Sequence, residues 1–303
     1  MEPTDSIWKA ILITIYTVVL IGGVCGVIKI SFLLVKMNTL SVTTTSVINL
    51  VAVHSLFLAM VPFRLYYYAT DKWDFGHPFC KIVSAMIHIH MYLTFLFYLF
   101  VLVTRSLLFF QWKDKLEFYR NLHAVASSVA IWILAVVIAL PLIHICYGTT
   151  GRYENATCFR FHQELKNNSV KGLNYAVISV IVAVTCTFLA LEVFIILKVV
   201  NRLSGPVCSH QEFRAQLQSL VFVCFIILCF LPYHFFRIYY LQRYVDGSQL
   251  EMYNEICLSI TAVSCLDLLS FVLSGSRFWR RESILFSCCP TAICCRATGS
   301  PAG

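Results

Sequence analysis

The chain has 303 residues, of which 59% are hydrophobic and 13% charged, with a net charge of +8 and a mean hydropathy of +0.78. A water-soluble domain carries about 25% charged and about 45–50% apolar residues, so this excess has no place on a wetted surface and belongs against lipid. Nor do 14 cysteines make a disulfide-stapled secreted domain: Cys25, Cys186, Cys224, Cys229 and Cys265 lie within apolar runs, where a thiol behaves as a small hydrophobe.

A helix needs about 20 consecutive apolar residues to cross the hydrocarbon core of a bilayer. In chain order, such runs are Ala10–Val35, Val42–Ala69, Phe79–Phe110, Leu122–Tyr147, Lys171–Val200, Phe213–Leu241 and Glu251–Gly275. The expected fold is therefore all-α, a seven-transmembrane helix bundle followed by a short amphipathic helix. Residues 1–9 form a short N-terminus, 10–275 the membrane domain, and 276–303 a cytoplasmic amphipathic helix and cysteine-rich tail. Residues 1–10 are acidic rather than basic, and the first run is too long for a signal core, so it is expected to serve as an uncleaved first span.

Charge in the connections orients the bundle. With the N-terminus outside, the cytoplasmic side collects Lys36, Lys113, Lys115, Arg120, Lys198, Arg202, Arg214, Arg277, Arg280, Arg281 and Arg296 against few acids. The outer side has comparable Lys and Arg, nearly cancelled by acids such as Asp71, Asp74, Glu154, Glu251 and Glu255. The positive charge is thus a topology signal, and no nucleic-acid partner is expected. The acceptors Asn155-Ala156-Thr157 and Asn167-Asn168-Ser169 both fall in the fourth connection, outside in this orientation, where Asn155 and Asn167 are open to glycosylation.

Transporter-like repeats, a phosphate-cradling glycine loop, a His-Glu-x-x-His zinc motif and a nucleophile elbow are all missing, which argues against a transporter or an enzyme. No cofactor is expected. Gly22, Gly23 and Gly26 give the first run a small-residue face, read as packing within the bundle before dimerisation.

Several local patterns are more specific. Trp73-Asp74-Phe75-Gly76 precedes Cys80 at the start of the third run, and Arg105 closes that run within Thr104-Arg105-Ser106. Trp132 and Pro141 mark the fourth, Cys229-Phe230-Leu231-Pro232-Tyr233-His234 the sixth, and Asp267-Leu268-Leu269-Ser270-Phe271 the seventh. Together they resemble the rhodopsin-like (class A) G-protein-coupled receptors across almost the whole chain. Within that family, Phe32–Thr39, His88–Phe97 and Phe235–Leu241 are similar to an orphan branch whose broader kin are receptors for nucleotides and lipid mediators. The departures are in the core. Val27 stands for the family's helix 1 Asn, His54 for the helix 2 Asp of its sodium site, Leu268 for the helix 7 Pro and Phe271 for the Tyr. Phe230 replaces a Trp, Thr104 replaces the acid before Arg105, and helix 5 lacks its proline.

The resemblance implies a multi-pass plasma-membrane receptor with an unknown extracellular ligand and a heterotrimeric G protein on its cytoplasmic face. It also implies a Cys80–Cys158 disulfide, with Cys146 as the competing partner. Arg105 is the family's switch arginine, and Glu212, twenty residues before Pro232, occupies the position of its helix 6 partner; a solvated acid is the alternative. Phe230 and Pro232 form the kink on which helix 6 would swing. His54 and Asp267 are expected to face each other, either as an ion-replacing pair or through a neutral imidazole. Near the tail, Cys288 and Cys289 beside basic residues suit palmitoylation. A decoy that binds without signalling is the alternative reading of the departures.

Toward the outer end, Arg64, Lys81, His88, Lys171, His234 and Arg237 could converge, walled by aromatics including Tyr92, Tyr233 and Tyr253. Intramembrane charges are costly and mark function, and an Arg fork suits carboxylate or phosphate, so the expected ligand is anionic and partly hydrophobic. The competing reading has these cations snorkel or pair with Glu251 and Glu255. His88 and His90 point to different helix faces and cannot share a metal, and no metal is expected.

Overall fold

The computed structural model describes residues 3–36, 42–109, 117–141, 158–159, 165, 167–202, 219–243 and 249–270. Seven helices account for nearly all of them: α1 (Pro3–Val35), α2 (Val42–Thr70), α3 (His77–Phe109), α4 (Glu117–Pro141), α5 (Asn168–Arg202), α6 (Ser219–Arg243) and α7 (Leu250–Ser270). All but α4 are long and apolar enough to cross a membrane; α4 contributes the shorter apolar stretch Leu122–Ile138. Among the described residues there is no strand. Helices suit this chain because an apolar solvent cannot satisfy backbone N–H and C=O groups, and the helix satisfies them internally.

Helix ends extend past the apolar runs. At 33 residues, α1 begins at Pro3 rather than Ala10 and is about 50 Å long at 1.5 Å per residue, against a hydrocarbon core of about 30 Å. Nothing at the lipid boundary stops a helix, since the next turn makes the same backbone hydrogen bonds in water. The same holds for α3, which starts at His77, and α4, which starts at Glu117.

Close approach of α1 to its neighbours depends on its glycines. A Cβ on Gly23 would stand 2.9 Å from both Leu58 methyls on α2, and one on Gly22 would collide with Leu266 on α7. Gly26 likewise faces Leu268, with its would-be Cβ 3.2 Å from that side chain. The small-residue face therefore packs α1 against α2 and α7 of its own bundle.

Two irregular turns lie in α6 and α7. Residues Ile226–Phe230 form a π-helical turn, in which the Leu231 N–H reaches back to the Ile226 carbonyl. Pro232 follows; it lacks an N–H and its ring crowds the preceding turn, and the extra residue in the wide turn relieves that conflict. In α7, Ala262–Leu266 tighten to a 3-10 turn directly before Asp267.

Polar side chains tie α2 to α4 on the outside of this core. The Asn49 amide donates to Ser128 Oγ at 2.8 Å and accepts from Trp132 Nε1 at 2.9 Å. Trp132 is thus held by a hydrogen bond as well as by packing.

Candidate functional site

Polar side chains inside the bundle form three layers, and the first lies at the end marked by the disulfide. Cys80, near the start of α3, is bonded to Cys158. Gly76 adopts φ +80°, a left-handed conformation open to glycine, and its carbonyl accepts from the buried Trp73 indole at 2.7 Å. Trp73 packs with Phe75, Phe79, Tyr67 and Phe159, so the α2–α3 turn and the residues at Cys158 form one aromatic cap over the helix ends.

Beneath that cap Arg64 is 1% exposed. Its guanidinium donates to Glu255 Oε1 at 3.1 Å, Tyr16 OH at 3.2 Å, and the Val83 and Ser84 carbonyls at 3.3 and 3.2 Å. It also lies over the Phe159 ring, 4.4 Å from the centroid. Tyr68 donates to the same Glu255 oxygen at 2.8 Å. Arg64 thereby joins α1, α2, α3 and α7, and of the two readings left open by the sequence, pairing with Glu255 is the one the geometry displays.

Arg237 on α6 is held differently. Its Nε and Nη1 donate to the amide oxygens of Asn174 on α5 and Asn254 on α7, at 3.3 and 3.0 Å. It has no carboxylate partner among the described residues. His88, Tyr92, Tyr233 and His234 lie within its electrostatic reach. His88 Nε2 is 3.3 Å from Tyr233 OH, and the Tyr92 and His234 rings stack at 6.3 Å. Both ring nitrogens of the buried His234 lack a partner among the described residues. Tyr253 stands apart from this group, edge-on to Trp8 of α1 at 5.0 Å. Lys81 and Lys171 are half-buried near the starts of their helices.

The second layer is the middle of the bundle. His54 Nε2 and Asp267 Oδ1 are 3.0 Å apart, both fully buried. The other Asp267 oxygen accepts from Tyr98 OH at 2.5 Å, and Tyr98 lies against Phe222 and Phe230 of α6. On the far side of the His54 ring, Nδ1 is 2.8 Å from His90 Nε2, with Cys265 Sγ beside both. Tyr98, His90 and Cys265 escape a reading of the sequence, because an aromatic, a histidine and a thiol in apolar runs carry no signal until helix rotation is known.

The third layer is at the opposite end. Arg105 donates to Ser219 Oγ at the start of α6, at 3.1 Å, and feels the charge of Glu192 on α5. Glu192 is fully buried, with neither carboxylate oxygen hydrogen-bonded among the described residues. A signal for it existed: it is the sole acid within the fifth apolar run. Glu212, Asn155, Cys146, Cys288 and Cys289 lie outside the described residues, as does Phe271. Asn167 is exposed and its side chain accepts from the Ser169 N–H at 2.9 Å, capping α5.

Residues 25–269 match the family described as 7 transmembrane receptor (rhodopsin family). The chain is 54% identical over 289 residues to the human probable G-protein coupled receptor 141, covering 94% of this chain and 95% of that protein. A purinoceptor of Mus musculus is 28% identical over 281 residues, covering 88% of this chain and 74% of its own length. The N-arachidonyl glycine receptor of Macaca fascicularis is 23% identical over 244 residues, covering 78% of this chain and 72% of its own. Seven apolar helices, a bonded Cys80–Cys158 pair and a family match across the bundle lead to one assignment: this chain belongs to the rhodopsin family of G-protein-coupled receptors and is a multi-pass protein of the plasma membrane.

Proposed function

We propose that the receptor binds an extracellular ligand that is anionic and partly hydrophobic, and passes its binding to a heterotrimeric G protein through movement of α6. The observation that carries this reading is Arg237. A guanidinium inside a membrane bundle is costly, and one satisfied by two neutral amide oxygens keeps its charge available for an incoming anion. The surrounding Tyr92, Tyr233, His88 and His234 combine apolar walls with hydrogen-bonding tips, as a headgroup joined to a hydrophobic body requires. One relative, the N-arachidonyl glycine receptor, is named for a ligand of this kind, an amino acid joined to a long acyl chain. Arg64, already bound to Glu255, serves the pocket as a supporting post.

At the opposite end, Arg105 bridges α3 to Ser219 on α6, and Glu192 adds an acid to its surroundings. By its place in the family pattern Glu212 is assigned to this clamp, which holds α6 in until ligand binding shifts the bundle. In this orientation Asn155 and Asn167 face outward and accept glycans, while Cys288 and Cys289 anchor the tail on the inner leaflet by acylation. The decoy reading is favoured by Thr104, which stands where the family carries an acid next to its switch arginine.

The test is a resonance-energy-transfer screen across G-protein classes, using wild type and Arg237→Gln at matched surface density and a panel of fatty-acyl amino acids and nucleotides. Wild type is expected to couple, constitutively or with an anionic agonist, and Arg237→Gln to lose at least about tenfold in agonist potency, one charge-assisted contact. Full retention of potency in Arg237→Gln overturns the anionic pocket. Coupling to no G protein despite surface display and ligand binding establishes the decoy.

A further inference from the structure

We propose that His54, His90 and Cys265 form a binding site for one zinc ion in the middle of the bundle, joining α2, α3 and α7. The three donor atoms converge from three helices: His54 Nδ1 to His90 Nε2 is 2.8 Å, Cys265 Sγ to His90 Nε2 is 3.3 Å, and Cys265 Sγ to His54 Nδ1 is 3.7 Å. Tetrahedral zinc, with Zn–N about 2.0–2.1 Å and Zn–S about 2.3 Å, places such donors roughly 3.3–3.6 Å apart. Both sulfur distances are close to that spacing, and the imidazole pair needs to open by about 0.5 Å to meet it. Two imidazoles and a thiolate are a donor set that selects zinc over sodium, calcium or magnesium, which prefer oxygen.

The outer shell supports the same reading. A metal-bound histidine commonly donates its other ring N–H to a carboxylate, which fixes the tautomer and turns the lone pair toward the metal. His54 meets this requirement: Nε2 faces Asp267 Oδ1 at 3.0 Å, which leaves Nδ1 directed at His90 and Cys265. Asp267 is in turn oriented by the Tyr98 hydroxyl. His90 is held by ring stacking on Phe57, with centroids 4.4 Å apart.

The site also balances its charge. All four residues are buried at 0–1% exposure, where an uncompensated charge is expensive. One Zn2+, the Cys265 thiolate and the Asp267 carboxylate sum to zero. Binding releases the thiol proton to solvent, and leaves the fourth zinc position to water. The consequence is a lock: zinc fixes α2, α3 and α7 to one another at the depth where the family resemblance places a sodium ion.

The test uses the full-length receptor, purified in detergent, stripped with a chelator and reloaded with Zn2+ alone or Co2+ alone. Wild type is expected to bind about one more metal per chain than His90→Gln, a variant that retains every cysteine and so corrects for metal held by the tail. Co2+-loaded wild type should show the visible absorption of a tetrahedral thiolate site, lost in Cys265→Ser, and its melting temperature should rise with Zn2+ and fall on chelation. Equal metal uptake by wild type and His90→Gln, both monodisperse, overturns the proposal. So does a Co2+ spectrum of wild type without the tetrahedral thiolate bands, a result that needs no variant to fold.

Discussion

Replacing Glu255 by Gln isolates the ion pair beneath the disulfide cap. The substitution keeps the shape of the side chain and a hydrogen-bond acceptor for Tyr68, and removes the charge opposite Arg64, a cation 1% exposed. Breaking a fully buried pair costs about 3–5 kcal/mol, because the remaining charge loses its compensation. Here the figure is lower: the Glu255 side chain is 14% exposed, and Arg64 keeps two carbonyls, Tyr16 and the Phe159 ring. About 2–3 kcal/mol remains, or roughly 4–6 °C in melting temperature at about 2 °C per kcal/mol for a domain of this size. The assay is thermal unfolding of the purified receptor followed by exposure of buried cysteines to a thiol-reactive dye. Arg64→Met combined with Glu255→Leu should recover at least half of the loss, since an apolar pair carries no stranded charge. A Glu255→Gln receptor that melts within about 1 °C of wild type refutes the reasoning, as does a double variant less stable than the single one. Loss of ligand response in Arg64 variants should track the loss of stability, whereas Arg237→Gln should lose response out of proportion to the fall in melting temperature that its two hydrogen bonds entail.

Tyr98→Phe removes the hydroxyl that donates to Asp267 while leaving the ring against Phe222 and Phe230. A hydrogen bond to a charged group contributes about 1.5–3 kcal/mol, and the melting temperature should fall by roughly 3–6 °C in the same assay. Gly23→Val places a branched side chain where even a Cβ stands 2.9 Å from both Leu58 methyls. Overpacking of this kind costs about 1–3 kcal/mol, so surface display should fall, and Leu58→Ala should restore part of it. Unchanged display of Gly23→Val would mean that α1 and α2 are not held this close in the membrane.

The seven spans were legible because lipid imposes a composition that no loop imitates. Helix ends were less so: α1 begins at Pro3 because helical hydrogen bonding continues beyond the apolar run. Positions carried by a family pattern, such as Cys80, Arg105, Pro232 and Asp267, were readable one by one. Partnerships were harder, since they depend on the rotation of each helix. Arg64 could be assigned to a ligand or to Glu255 from the sequence alone, and only the placement of α7 against α2 separates those choices. His90 has His88 as its near neighbour in the chain, whereas its contacts come from α2 and α7. Glu192 carries a signal of its own, an acid inside an apolar run, but its nearness to Arg105 depends on how α5 packs against α3.

The distribution of charge through the bundle bears on how it switches. Disulfide, Lys9–Asp71, Arg64–Glu255 and His54–Asp267 all lie on α1, α2, α3, α7 and the turn between α2 and α3, apart from Cys158 itself. Among the described residues no ion pair reaches α6. Its polar contacts described above are with neutral groups or rings: Asn174 and Asn254 around Arg237, His88 at Tyr233, Tyr98 against Phe230, and Ser219 under Arg105. A neutral hydrogen bond contributes about 0.5–1.5 kcal/mol and one to a charged group about 1.5–3, against about 3–5 for breaking a fully buried ion pair. The helix that carries the π turn and Pro232 is therefore joined to the rest by the contacts that are cheapest to exchange. An anion that took Arg237 from its two asparagines would change the balance at one end of α6, while a four-helix frame stayed fixed around His54 and Asp267. Leu268, standing where the family carries its helix 7 proline, leaves that arrangement intact, because none of these polar contacts on α6 passes through it.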